Sequence, residues 1–202
     1  RVYIFDQNGV IFGEGSEVNV GGIVASTGHI SQTNLDADKI KIEDVGTSGE
    51  VVNNGKITVS EGGLAAFVAP SVRNNGIINA KAGTVALASG NTVTLDLYGD
   101  GLVSVAADGE LANAIVENKG TINASGGNVA LTVAAAKDAV DSVVNMDGII
   151  NVSSKTGKGG KVSIDGGKKG LVKVSGTIEA NGLGGGDISV KGQNIHLTET
   201  SV

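Results

Sequence analysis

The phrase Val72-Arg-Asn-Asn-Gly-Ile-Ile-Asn-Ala80 decides the fold, because the chain repeats it with small changes. Related phrases stand at Val52-Asn-Asn-Gly-Lys-Ile-Thr-Val59, Val116-Glu-Asn-Lys-Gly-Thr-Ile-Asn-Ala124, Val144-Asn-Met-Asp-Gly-Ile-Ile-Asn-Val152 and Val172-Lys-Val-Ser-Gly-Thr-Ile-Glu-Ala180. Their central glycines, Gly55, Gly76, Gly120, Gly148 and Gly176, are separated by 21, 44, 28 and 28 residues. A unit of roughly 21 or 22 residues, doubled once and lengthened twice by loops, fits these spacings, and a period in this range marks a solenoid. A second short strand follows in each unit, as in Gly83-Thr-Val-Ala-Leu87, Gly127-Asn-Val-Ala-Leu131, Gly160-Lys-Val-Ser-Ile164 and Gly186-Asp-Ile-Ser-Val190. Each alternates apolar with small or polar residues, the period of a half-buried strand.

Such strands cannot close a core alone, but stacked coil on coil they pair in parallel and line up their inward side chains. The expected fold is all-β, a right-handed parallel β-helix, the hand following from the rule for parallel crossovers. About nine coils spaced by about 4.8 Å give a rod roughly 40 Å long. Glycine at the corners is expected to supply positive φ without a Cβ penalty. Asn53, Asn74 and Asn118 either stack as an amide ladder between coils or simply suit the turn. Residues 134–144 carry strong helix formers, with apolar spacing at Ala136, Val140, Val143 and Val144. They are expected to form a short helix that leaves and rejoins the rod, as a structural excursion or as a docking element for a partner.

Composition narrows the classes. A chain of 202 residues is long enough to bury about 70% of its unfolded surface, yet it has only three Phe, two Tyr and no Trp. The core must therefore consist of Val, Ile, Leu and Ala. The 33 glycines are accompanied by one proline, and 40% of the residues are apolar, so disorder is disfavoured. The apolar stretch from Val129 to Ala136, with Thr132 inside it, is too short to span a bilayer. Absence of cysteine removes disulfides, thiol catalysis and thiolate zinc sites. A net charge of −6 with only two arginines, Arg1 and Arg73, argues against nucleic acid as a partner. Lys155, Lys158, Lys161, Lys168, Lys169 and Lys173 read as solvated residues that blunt edge pairing, with an anion-binding face as the rival reading.

Several longer motifs resemble the haemagglutination-activity region of two-partner secretion exoproteins, typified by filamentous haemagglutinin. Asp6-Gln7-Asn8-Gly9-Val10-Ile11-Phe12-Gly13 is similar to the family phrase NPNGxxFG, with Asp-Gln in place of Asn-Pro. Ser16-Glu-Val-Asn-Val-Gly-Gly-Ile-Val-Ala-Ser-Thr27 resembles AQVNVGGLVAST and includes Asn19, Val20, Gly21 and Gly22. Gly62-Gly-Leu-Ala-Ala-Phe-Val-Ala-Pro-Ser-Val-Arg-Asn-Asn-Gly76 and Val93-Thr-Leu-Asp-Leu-Tyr-Gly-Asp-Gly-Leu102 are also similar to that family. The resemblance implies that 1–108 is the later part of a secretion domain, with the family's upstream half preceding Arg1, and that 109–202 continues one solenoid as shaft repeats. It further implies a secreted or cell-surface protein of a Gram-negative bacterium, exported through an outer-membrane transporter, and acting as adhesin, cytolysin or toxin stalk. A receptor or glycan on a host or neighbouring cell is the implied target. The open strand edges at Arg1–Phe5 and Ile195–Thr198 suggest end-to-end self-association.

The rival reading is a polysaccharide lyase or hydrolase on the same architecture, which needs paired carboxylates. Asp96 and Asp100, with Tyr98 between them as a sugar platform, are the candidates. Asx-stabilised turns explain the same residues, and their spacing matches no calcium loop. Gly184-Gly-Gly-Asp-Ile-Ser-Val190 occurs once and so cannot build a calcium nonapeptide array. His29 and His196 are expected on the surface and far apart. The expectation is a non-enzymatic scaffold without metal or cofactor; an intracellular repeat protein is the third reading.

Overall fold

The computed structural model describes residues 1–30, 39–96, 111, 113–134 and 143–198. Three parallel sheets run the length of a β-helix. The first face stacks Val2–Phe5, Ile23–Ser26, Leu64–Val68, Thr84–Ser89, Asn128–Val133, Lys161–Asp165 and Asp187–Lys191. The second stacks Gly9–Phe12, Glu50–Asn53, Ser71–Asn74, Ile115–Asn118, Val143–Met146, Leu171–Val174 and Asn194–Leu197. The third stacks Glu17–Val20, Lys56–Val59, Ile77–Asn79, Thr121–Asn123, Ile149–Asn151 and Thr177–Glu179.

Alternation along each strand sets the register, since a slip of one residue would turn every apolar side chain outward. In Leu171–Val174, for example, Val172 and Val174 are buried and Lys173 is exposed. Val10, Val51, Val72, Val116, Val144, Val172 and Ile195 thus form one column on the second face. The register places Val51, rather than Val52, beneath Val72. On the third face Val18, Ile57, Ile78, Ile122, Ile150 and Ile178 form another. A single core joins these columns from Phe12 to Val174. Fully burying each Val or Ile contributes about 1.5–3 kcal/mol.

The corner glycines have a different reason from the expected one. Gly55, Gly76, Gly120, Gly148 and Gly176 are not among the glycines with positive φ. They are needed for close approach: a Cβ on Gly76, Gly120, Gly148 or Gly176 would fall on the carbonyl oxygen of the glycine one level below, inside the 3.0 Å that real Cβ atoms keep. That same oxygen accepts from the next strand, as in Ile77 N–H to Gly55 O and Thr121 N–H to Gly76 O, both 2.9 Å. A second glycine column at another corner, Gly63, Gly83, Gly127, Gly160 and Gly186, is packed in the same way.

The described strands make seven levels on two faces rather than nine. Length was spent elsewhere. Between the first and second faces the chain leaves the rod after Thr27 and again after Ser89, and adds a fourth, antiparallel sheet of His29–Ile30, Lys39–Glu43 and Val93–Asp96. This sheet lies over the outer side of the first face, where Val24, Leu64, Ala66, Val68, Ala86 and Ala88 meet Ile40, Ile42, Val45, Val93 and Leu95 in a second core. At those levels the first-face strands are buried on both sides, so the half-buried reading of the strand after Gly83 is corrected. At Lys161–Asp165, beyond the cover, burial alternates again. Buried hydroxyls tie down the exits: Thr27 Oγ1 donates to Val45 O at 2.8 Å and Ser89 Oγ to Pro70 O at 2.8 Å. Of the helix expected over 134–144, residues 135–142 lie outside the described residues. Val143 and Val144 instead open the strand Val143–Met146.

Candidate functional site

The motif residues fall in the first coil and at the turns that shape it. Asp6 begins the turn into the second face, its carboxylate accepting from Asn8 N–H at 2.8 Å and from Asn8 Nδ2 at 3.1 Å. Gly9 follows at φ +123°, with Glu50 O where a Cβ would be, so only glycine fits. Phe12 is buried and its ring stacks on Phe67 one face away, centroids 5.6 Å apart. Gly22 is buried, lies against Leu64 and accepts from Val2 N–H at 2.8 Å. These residues build the coil.

Of the rest, Val20 packs half-buried against the core, and the others face outward. Asn8, Gly13, Asn19 and Gly21 are exposed, and a Cβ on Gly13 or Gly21 would meet nothing within 4 Å. Half-buried Val20 lines a shallow depression with Asn19, Gly21, Thr58, Val59 and Ser60. Packing therefore does not account for Gly13, Asn19 and Gly21.

Asn53, Asn74 and Asn118 are fully buried and bonded in series: Asn53 Nδ2 to Asn74 Oδ1 at 2.8 Å, Asn74 Nδ2 to Asn118 Oδ1 at 2.7 Å. Asn53 Oδ1 also caps Gly55 N–H at 3.1 Å. Asn118 Nδ2 then reaches Met146 Sδ at 3.4 Å, where the repeat places Met in the ladder position. A buried amide in a dry column is costly unless paired, and each amide here satisfies the next. An outward ladder on the third face was not foreseen: Asn79 donates to Thr58 at 3.3 Å and Asn123 to Asn79 at 3.0 Å. The signal was the Ile-Asn ending shared by three repeats.

An outward row on the second face pairs Arg73 with Glu50 at 3.8 Å and with Glu117 at 3.9 Å, while Lys119 reaches Glu117 at 2.9 Å. Such surface pairs contribute little each. The six late lysines are all exposed and are spread over two faces and the corner turns rather than over one patch. Lys158 pairs with Asp187 at 3.3 Å. His29 stands 3.8 Å from Asp44 on the surface, and His196 is exposed on the last second-face strand. Tyr98, Asp100 and the side chain of Asp96 lie outside the described residues. Among the described residues no three His, Cys, Asp or Glu side chains gather as a metal site.

A parallel β-helix held by glycine contacts and an amide ladder, whose first coil is shaped by one half of a motif and displays the other, defines a solenoid scaffold. The chain belongs to the TPS secretion domain family, whose model matches residues 1–200, and is part of a secreted or cell-surface exoprotein of the two-partner type. Two heme/hemopexin-binding proteins of Haemophilus influenzae are similar, at 32% identity over 171 residues and 30% over 183. Each alignment covers 80% of this chain but only 18% and 19% of the relative, so the chain spans about a fifth of their length. The crystal structure of the HMW1 secretion domain from Haemophilus influenzae shares the fold. Its TM-score is 0.62 at 20% identity, over 98% of this chain and 76% of that one.

Proposed function

We propose that this chain is the export-linked segment of an adhesin-type exoprotein, a right-handed β-helical rod without catalytic activity that an outer-membrane transporter of the two-partner type recognises and passes outward. Residues 1–108 act as the later part of the secretion domain and 109–202 as shaft repeats that hold a distal region away from the cell, toward a receptor or glycan on a host or neighbouring cell. The observation that carries the export reading is the family match over 1–200, which spans both parts; the division between them rests on the motifs of 1–108 and the plainer repeats that follow. The division within the motif supports a direct reading by the transporter. Gly9, Phe12 and Gly22 serve the fold and Asn8 braces the Asp6 turn, whereas Gly13, Asn19 and Gly21 are displayed without a packing role. The haem or hemopexin binding named for the relatives is not carried over, because the similarity covers under a fifth of those proteins.

The exposed apolar residues at the two ends of the stack, Val2, Tyr3 and Phe5 against Ile188, Ile195 and Leu197, support end-to-end association of the 202-residue chain. A strict monomer in sedimentation across about a hundredfold concentration range contradicts that association.

The test of the main reading is export of the full-length exoprotein co-expressed with its transporter. Gly13→Ala with Asn19→Ala is expected to reduce release into the medium several-fold while the denaturant midpoint of the isolated domain stays put. Phe12→Ala is expected to lower both. Release that is unchanged by the double substitution, or that does not need the transporter, overturns the reading.

A further inference from the structure

The chain contains four Asn-Gly pairs, Asn8-Gly9, Asn54-Gly55, Asn75-Gly76 and Asn181-Gly182, all among the described residues. Asn-Gly is the dipeptide most prone to spontaneous deamidation, since glycine leaves its own backbone nitrogen unhindered. That nitrogen attacks the side-chain Cγ of the asparagine, the C–N bond of the amide breaks, and ammonia leaves with the proton taken from the attacking nitrogen. Water then opens the resulting succinimide at either carbonyl, giving aspartate or isoaspartate. The attacking N–H must be free to lose its proton. An N–H held in a hydrogen bond is therefore protected, and the folded chain treats the four pairs differently.

Three of the glycine nitrogens are engaged. Gly9 N–H donates to Asp6 O at 3.0 Å, Gly76 N–H to Asn53 O at 2.9 Å, and Gly55 N–H to Asn53 Oδ1 at 3.1 Å. The side chains of these pairs are also held: Asn8 Nδ2 by Asp6 at 3.1 Å, and Asn54 and Asn75 by each other at 2.8 Å. Gly182 is the exception, as its N–H donates no hydrogen bond among the described residues. The Asn181 side chain is exposed and has no hydrogen-bond partner there either.

We propose that Asn181-Gly182 is the selective deamidation site of this protein, where the folded rod converts a neutral amide into a carboxylate with time in aqueous surroundings. The same fold that shields Asn54 and Asn75 through the ladder leaves Asn181 open. The isoaspartyl product carries an extra backbone methylene into a corner that ties two levels together. There Ser154 N–H meets Asn181 O at 2.8 Å and Leu183 N–H meets Gly157 O at 2.9 Å. Modification therefore loosens the rod locally as well as adding charge.

The experiment incubates the folded 202-residue chain in mildly alkaline buffer and follows each Asn-Gly peptide by mass, a gain of about 1 Da marking conversion. Isoaspartate is read separately by enzymatic methyl labelling. The same chain unfolded in denaturant supplies the intrinsic rate of each pair, so that neighbouring-residue effects cancel in the ratio. The expected result is an Asn181 peptide that reacts near its unfolded rate, while the other three are slowed by about fivefold or more, the factor one hydrogen bond is worth. Asn181→Ser should remove the fast phase alone. Equal protection of all four pairs, or protection of Asn181 above the others, overturns the proposal.

Discussion

At Gly120 the backbone of one level rests on the carbonyl oxygen of Gly76 below, and it is this contact that keeps a side chain out. Asparagine beside glycine was legible in the sequence as a repeated corner; the physical cause was not, because close approach and positive φ select the same residue. Substitution tests the contact itself. Gly120→Ala would be tolerated if the position only needed a small residue in an ordinary conformation. The stacked geometry predicts a cost of about 1–3 kcal/mol from overpacking against backbone that cannot move aside. Ile122→Ala, emptying part of a fully buried column, is expected to cost about 2–5 kcal/mol. Lys119→Ala, whose side chain is 54% exposed, should cost under about 0.5 kcal/mol. Denaturant midpoints check the order; a Lys119 variant as damaged as the Ile122 variant contradicts the inward and outward assignment.

The first-face strands differ along the rod according to what covers them. Leu64-Ala-Ala-Phe-Val68 is apolar at every position because both of its sides are buried, and Lys161-Val-Ser-Ile-Asp165 alternates because only one is. The alternating pattern hides that contrast: although continuous apolar runs mark strands buried on both faces, alanine in Gly83-Thr-Val-Ala-Leu87 also counts as a small outward residue, so that strand reads as half-buried. The covering strands themselves were harder to see. Lys39–Glu43 and Val93–Asp96 pair antiparallel across about 50 residues and belong to no repeat, so periodicity could not reveal them. Ala86 and Ser163 occupy the same outward row, two levels apart, one beneath the cover and one beyond it. Ala86→Lys is therefore expected to destabilise by more than about 3 kcal/mol, through an unpaired buried charge. Ser163→Lys should stay within about 0.5 kcal/mol. Similar midpoints for the two variants would show that the antiparallel sheet does not seal the first face.

For the whole molecule, the parallel stack could be read from five phrases and the direction of the side chains within them, while the number of levels could not. Dividing length by the repeat assigned to the rod the residues that form the outer sheet. Among the motif residues, the sequence identified the group without dividing it. Only the packing around Gly9, Phe12 and Gly22 separates those that build the coil from those it displays, and it is the displayed set that a direct reading by the transporter would use. That reading in turn requires one continuous rod, in which residues distant along the chain lie on one straight line. Glu17, Lys56, Ile77, Thr121, Ile149 and Thr177 occupy successive levels of the third face. The chain has no cysteine, so spin labels can be placed at Glu17 and Thr177 alone. Five steps of about 4.8 Å predict a narrow distance distribution centred at about 24 Å between the backbones at the two sites, allowing for the reach of the labels. A broad distribution, or a separation beyond about 35 Å, the reach of a seven-step stack, would contradict a single in-register β-helix.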